Sequence, residues 1–199
     1  MFVKNFLNEV KEIFDNIDEE SISNVISVVK DVKDSKGRIF FAGSGGGAGH
    51  SSHAVCDFRK LLSIESYSLT DNVSELTART NDDSFENSYR DILKISKPNP
   101  NDCLFIFSVG GGSREKNISA QLCTLIDYAD EINMKIVGIV GRDGGYLAKK
   151  TNNVIIIPTV NPNHITPHTE GMQAYLWHLI VTDPQLSPET TTWESVVEQ

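Results

Sequence analysis

His53 and Asp57 stand four residues apart, and His50 precedes them, in a segment with helical patterning. On a helix that spacing puts both side chains on one side, about one turn apart, with His50 on the same broad face. An imidazole and a carboxylate so placed suit a divalent cation or a shared proton transfer. As a plain exposed pair they would contribute only about 0.2–0.5 kcal/mol. A second cluster holds His164, His168, Glu170 and His178, three of the chain's five histidines. Here Thr166 before Pro167 reads as a helix N-cap with proline at the first helical position, which would leave Glu170 to complement the helix dipole. His178 lies among Tyr175, Leu176, Trp177, Leu179 and Ile180, company that also suits a hydrogen-bonded core histidine.

Two glycine loops precede helical segments. Residues 43–49 read Gly-Ser-Gly-Gly-Gly-Ala-Gly and follow the first strand-like run, and 108–113 read Ser-Val-Gly-Gly-Gly-Ser and follow the third. Glycine lets backbone N–H groups converge, and a following helix adds its dipole, so strand, loop and helix make an anion cradle. Gly45, Gly46 and Gly47 supply amides in the first loop and Val109 and Gly110 in the second. Ser44, Ser108 and Ser113 add hydroxyl donors. Gly43, Gly45 and Ala48 also match a loose dinucleotide fingerprint, but its acidic partner, Asp71, comes late. Two comparable loops fit one phosphorylated sugar lying across the sheet better than one pyrophosphate.

The elements that would position these groups alternate along the chain. Apolar residues from Phe2 to Ile17 and from Ile22 to Val32 recur at helical spacing, with a break at Ser21 and Gly37 closing the second helix. Nearly continuous apolar runs at 38–42, 64–69, 103–107, 136–140 and 154–157 read as strands covered on both faces. Helical patterns fall at 49–62, 73–78, 85–95, 114–132, 146–149 and 167–181. The expectation is an α/β chain with a doubly wound parallel sheet of five strands and two leading helices. All 199 residues read as one domain: a helix pair over 1–36, an α/β core over 37–183 and a polar tail over 184–199.

Composition narrows the chemistry. Lys and Arg number 18 against 27 Asp and Glu, a net charge of −9, which argues against broad nucleic-acid binding. Cys56, Cys103 and Cys123 fall singly; two lie in apolar runs and read as buried, reduced thiols. No apolar stretch approaches the ~18 residues of a membrane span, and the first ten residues lack a signal-peptide core, so a cytoplasmic location is expected.

From residue 2 to about 182 the sequence resembles the sugar-isomerase (SIS) superfamily and, within it, the phosphoheptose (sedoheptulose 7-phosphate) isomerases. The carriers are FAGSGGGAGHSSHAVCD at 41–57, TDNVSELTARTNDDSF at 70–85, FSVGGGS at 107–113, IVGRDGG at 139–145 and HTEGMQAYLWH at 168–178. The resemblance implies a flavodoxin-like sheet, a homotetramer built partly from the leading helices, and interconversion of sedoheptulose 7-phosphate with an aldose. It implies Asp57 and His178 as the acid–base pair, and His53, Asp57, Glu170 and His178 as a metal site, typically for zinc. Asp71, Asn81 and Asp82 become candidates for sugar hydroxyls. Some relatives in the superfamily keep the fold as protein-binding regulators, the competing reading.

The family usually carries Glu at position 57 and Gln at 170, and serine where Gly47 and Gly110 stand. The shorter Asp57 must be met more closely, Glu170 adds charge for a cation, and backbone amides take over phosphate contacts. Glu170 and His178 are separated by about 12 Å of helical rise, so one ion cannot reach both unless the helix begins late, bends or is met by its copy from another subunit; a composite site at a subunit interface is expected.

Overall fold

The computed structural model describes residues 1–187, and the expected tail beyond position 187 lies outside them. Two helices lead, α1 (Phe2–Asn16) and α2 (Glu19–Asp34). The chain break between them falls at Ile17 and Asp18, not at Ser21: Asp18 caps α2 by accepting from the Glu20 N–H at 3.0 Å, and Ser21 sits in the first turn. After α2, the left-handed position belongs to Lys36 (φ 55°). Gly37 is needed for space, since a Cβ there would meet the Asn101 carbonyl at 2.0 Å.

Next come β1 (Ile39–Gly43), α3 (Gly46–Leu62), β2 (Ser66–Ser68), α4 (Val73–Asp82), α5 (Phe85–Ile95) and β3 (Cys103–Ser108). The rest follows as α6 (Ala120–Glu131), β4 (Lys135–Val140), α7 (Gly145–Lys150), β5 (Val154–Ile156) and α8 (Ile165–Thr182). All five strands pair in parallel in the order β2-β1-β3-β4-β5, with Ile39 opposite Ser66 on one side and Cys103 on the other. This is the doubly wound, flavodoxin-like sheet that was expected.

Strand alternation sends side chains to two cores. Ile39, Phe41, Phe105, Phe107, Val137 and Ile139 pack with α2, α3 and α8, while Phe40, Leu104, Ile106, Ile136 and Val140 pack with α5, α6 and α7. The leading pair is part of this body, because Val25, Val29 and Val32 of α2 are fully buried in the first core. Leu186, assigned to the polar tail, is also fully buried there, and its carbonyl accepts from Lys33 Nζ. Cys103 and Cys123 are buried and Cys56 is exposed; burial pushes the Cys103 thiol up to about 12.

The segment read as helix over 114–132 is helical only from Ala120. Ser113 and Ile118 instead exchange backbone hydrogen bonds at 2.9 Å across a tight turn, with Asn117 and Ser119 at positive φ. The final helix starts at Ile165 with His164 at its N-cap, so Thr166 and Pro167 lie inside its first turn.

Candidate active site

In a sheet of this order the chain reverses direction of winding between β1 and β3, and the crevice beyond their carboxyl ends is where such folds receive ligands. Both glycine loops leave the sheet there. In the first, Gly45 (φ 56°) is the N-cap of α3, and its carbonyl accepts from the N–H groups of Ala48 and Gly49 at 3.1 and 3.2 Å. Gly47 packs against the carbonyl of Phe107, where a Cβ would come within 2.5 Å. Ser44 Oγ accepts from Gln121 Nε2 at 2.6 Å, which leaves its O–H to donate. Behind the loop, Tyr89 donates to the Gly43 carbonyl at 2.8 Å, and burial raises its phenol above the ordinary value.

The second loop is built differently. Gly111 (φ 66°) and Gly112 (φ 82°) carry it through conformations that side chains rarely adopt. Their carbonyls accept from Leu147 and Tyr146, and Gly141 donates to Val109, so the loop is laced to the turn after β4. Ser108 Oγ accepts from the Gly111 N–H at 3.1 Å and Ser113 Oγ from the Lys116 N–H at 3.3 Å, so both hydroxyl protons are available to a ligand. No helix follows directly, so this loop lacks the dipole that the sequence pattern promised. It has a cation instead. Arg142 is exposed and left-handed (φ 55°), and its Cδ would lie 3.3 Å from a Cβ at Gly110. The Arg142 side chain makes no hydrogen bond or ion pair among the described residues.

Between α3 and α8 three of the four proposed metal-binding side chains converge. Asp57 is 4% exposed; its Oδ2 lies 3.7 Å from His53 Nε2 and 3.5 Å from His178 Nε2. Trp177, fully buried, donates its indole N–H to the same oxygen at 2.9 Å and so fixes the carboxylate's orientation. His178 donates from Nδ1 to the Ala174 carbonyl at 2.7 Å, which sets its tautomer and turns Nε2 toward Asp57. The three donor atoms lie within 4.8 Å of one another. Tetrahedral zinc, with bonds of roughly 2.0–2.1 Å, needs ligand atoms roughly 3.3 Å apart, and the two contacts to Asp57 are within a few tenths of an ångström of that spacing.

Glu170 is not with them. Its carboxylate lies over the first glycine loop, 2.5 Å from where a Cβ on Gly46 would stand. The rise of a straight helix keeps it from His178, and Asp57 and His178 meet without a second copy of the chain. The other candidates are dispersed. Asp71 accepts from Ser52 Oγ on α3. Asn81 and Asp82 pair with each other at 2.8 Å at the exposed end of α4. Three contributors escaped the sequence reading: Trp177, Gln121 and Gln173. Gln173 accepts no attention from spacing alone, yet it is fully buried, donates to the Ile139 carbonyl at 2.9 Å and meets His50 Nδ1 at 3.0 Å. A glutamine inside an apolar helix face is the signal that marks it.

A family model for the SIS domain matches residues 5–141. The lincomycin biosynthesis protein LmbN of Streptomyces lincolnensis is 28% identical over 186 residues, which cover 89% of this chain and 66% of that protein. The phosphoheptose isomerase of Geotalea daltonii is 27% identical over 187 residues, 89% of this chain and 91% of that one. In fold, the phosphoheptose isomerases of Neisseria gonorrhoeae and Francisella tularensis superpose with TM-scores of 0.75 and 0.76 at 22% and 16% identity, each over 90% of this chain and 94% of theirs. With the match spanning most of its length, the chain belongs to the SIS domain family.

Proposed function

We propose that the chain is a sugar-phosphate isomerase that converts sedoheptulose 7-phosphate to a heptose 7-phosphate aldose through an enediol. The carrying observation is the approach of His178 Nε2 to Asp57 Oδ2, 3.5 Å apart although 121 positions separate them. Isomerisation moves a proton between adjacent carbons and another between their oxygens, so it needs two proton carriers at one end of the sugar. Asp57 removes the C1 proton of the open-chain ketose and returns it at C2. His178 moves the proton between O1 and O2, its tautomer held by the Ala174 carbonyl. Trp177 keeps Asp57 aimed. The phosphate is held at the far end by the amides of Val109 and Gly110 and the hydroxyls of Ser108 and Ser113, with Arg142 beside them, so remote binding energy positions the reacting carbons. Asp71 with Ser52, and Ser44 in the first loop, face the sugar hydroxyls in this reading.

His53 and Asp57 would hold a divalent ion, for which we favour zinc, with His178 Nε2 joining them only when it is not carrying the proton; when bound the ion polarises a carbonyl and the neighbouring hydroxyl. The curated relatives support the isomerase over a non-catalytic regulator, as does an acid–base pair that a regulator has no need to keep. Self-association, a tetramer in our reading, is supported by the apolar stripe that α1 leaves exposed, with Phe2 65%, Val3 68% and Leu7 56% accessible. Among the described residues no helix is long and apolar enough to cross a membrane, and we place the activity in the cytoplasm.

Proton NMR of the full chain with sedoheptulose 7-phosphate in D2O, with and without a chelator, tests the reaction: deuterium should appear at C2 of a new aldose. Asp57→Asn should lower kcat about 10²–10⁴-fold with a modest change in KM. Normal turnover by that variant would remove Asp57 from the mechanism.

A further inference from the structure

Away from Asp57, α1 and the start of α8 bring a second set of donors together. Glu9 Oε2 lies 2.7 Å from His164 Nδ1 and 2.7 Å from His168 Nε2. The two histidines are four apart at the N-terminus of α8, hence on one side of it, and the carboxylate arrives from the leading helix. Their side chains are 17%, 24% and 5% exposed for Glu9, His164 and His168. Phe6 closes one side, its ring 4.5 Å from that of His168 and 5.3 Å from that of His164.

Asn161 makes the set more than a hydrogen-bonded staple. Its Oδ1 accepts from the Asn163 N–H at 3.0 Å, which turns Nδ2 toward Glu9 Oε1 at 2.7 Å and His164 Nδ1 at 3.0 Å. His164 Nδ1 therefore faces an amide donor, which asks for a lone pair, and a carboxylate, which asks for a proton. Protonating Nδ1 satisfies Glu9 and opposes Asn161; leaving it bare reverses the conflict. A cation at the centre takes the lone pairs of all three donors and leaves Asn161 its bond to Glu9 Oε1.

We propose that Glu9, His164 and His168 form a divalent-metal site of the two-histidine, one-carboxylate kind, separate from the Asp57 cluster, that fastens α1 to the start of α8. Two imidazoles and one carboxylate favour zinc and its neighbours over calcium or magnesium, with a water in the fourth position. The ligand atoms must open by about 0.6 Å to accept bonds of roughly 2.0–2.1 Å. His164, at the N-cap and partly exposed, has the freedom to do so.

The test uses the full chain stripped by chelator, titrated with Zn²⁺ alone by calorimetry and with Co²⁺ alone by visible absorption. Wild type should take up one equivalent more than His164→Asn, or hold that equivalent more than about 100-fold tighter, beyond the effect of losing an outer hydrogen-bond partner. Glu9→Gln should show the same loss, and zinc should raise the melting temperature of wild type by more than that of either variant. Asn is a good N-cap, so His164→Asn keeps the start of α8 and circular dichroism should be unchanged. His53→Asn separates this site from the proposed catalytic one. An equivalent lost in His164→Asn and kept in His53→Asn supports this site whatever becomes of the other. If both His164→Asn and Glu9→Gln match wild type in number and affinity, or wild type holds only an equivalent that His53→Asn abolishes, the proposal is overturned.

Discussion

The two glycine loops look alike in sequence and differ in what they offer an anion. The first runs straight into the 17-residue α3, and the convergent amides at that helix start are overlain by the carboxylate of Glu170. The second is followed by a bridged turn, is laced to the 141–145 turn, and has Arg142 over Gly110. A helix dipole with an acid on it is a weaker phosphate site than serine hydroxyls and amides beside a free guanidinium. Under the proposed function, neighbouring loops of similar composition divide the work, one holding the phosphate and one bordering the sugar.

The sharpest break of this contrast is Gly111→Ala. A Cβ there has φ +66° and would meet the Gly144 carbonyl at 1.9 Å, backbone against backbone, so the variant should lose at least about 3 kcal/mol in denaturant unfolding along with its grip on sugar phosphate. Arg142→Ala should leave kcat nearly unchanged and raise KM about tenfold, with partial recovery in Arg142→Lys. No change in KM would return the phosphate to the first loop. Removing the acid from that loop, Glu170→Gln, should lower KM by about 2–5-fold, since a like charge departs from a helix N-terminus. The smallest effect is expected for Gly46→Ala, whose new Cβ would meet only the movable Glu170 carboxylate; less than about 1 kcal/mol of stability should go.

Much of this is legible in the amino-acid sequence. The five strands announce themselves because both of their faces are covered, and α5 has the bounds its periodicity predicts. The misreadings are local patterns overruled by tertiary demands. Arg114, Glu115 and Lys116 have good helix propensity, but the neighbouring loop must fold back on Ile118 to keep Ser113 at the sheet's mouth. His53 with Asp57 was visible as a spacing. The indole bond from Trp177 to Asp57, and the approach of Glu9 to His164 and His168, join residues more than a hundred positions apart and leave no periodic trace.

That indole bond makes Trp177 a built-in fluorophore. Trp177 sits at ring distances of 5.1, 5.3 and 4.9 Å from His50, His53 and His178, with Trp193 as the other tryptophan of the sequence. A ligand that engages Asp57 or the flanking imidazoles changes the surroundings of the indole and its N–H bond. Occupancy of the Asp57 pocket should thus be readable as a change in light output from the unlabelled protein.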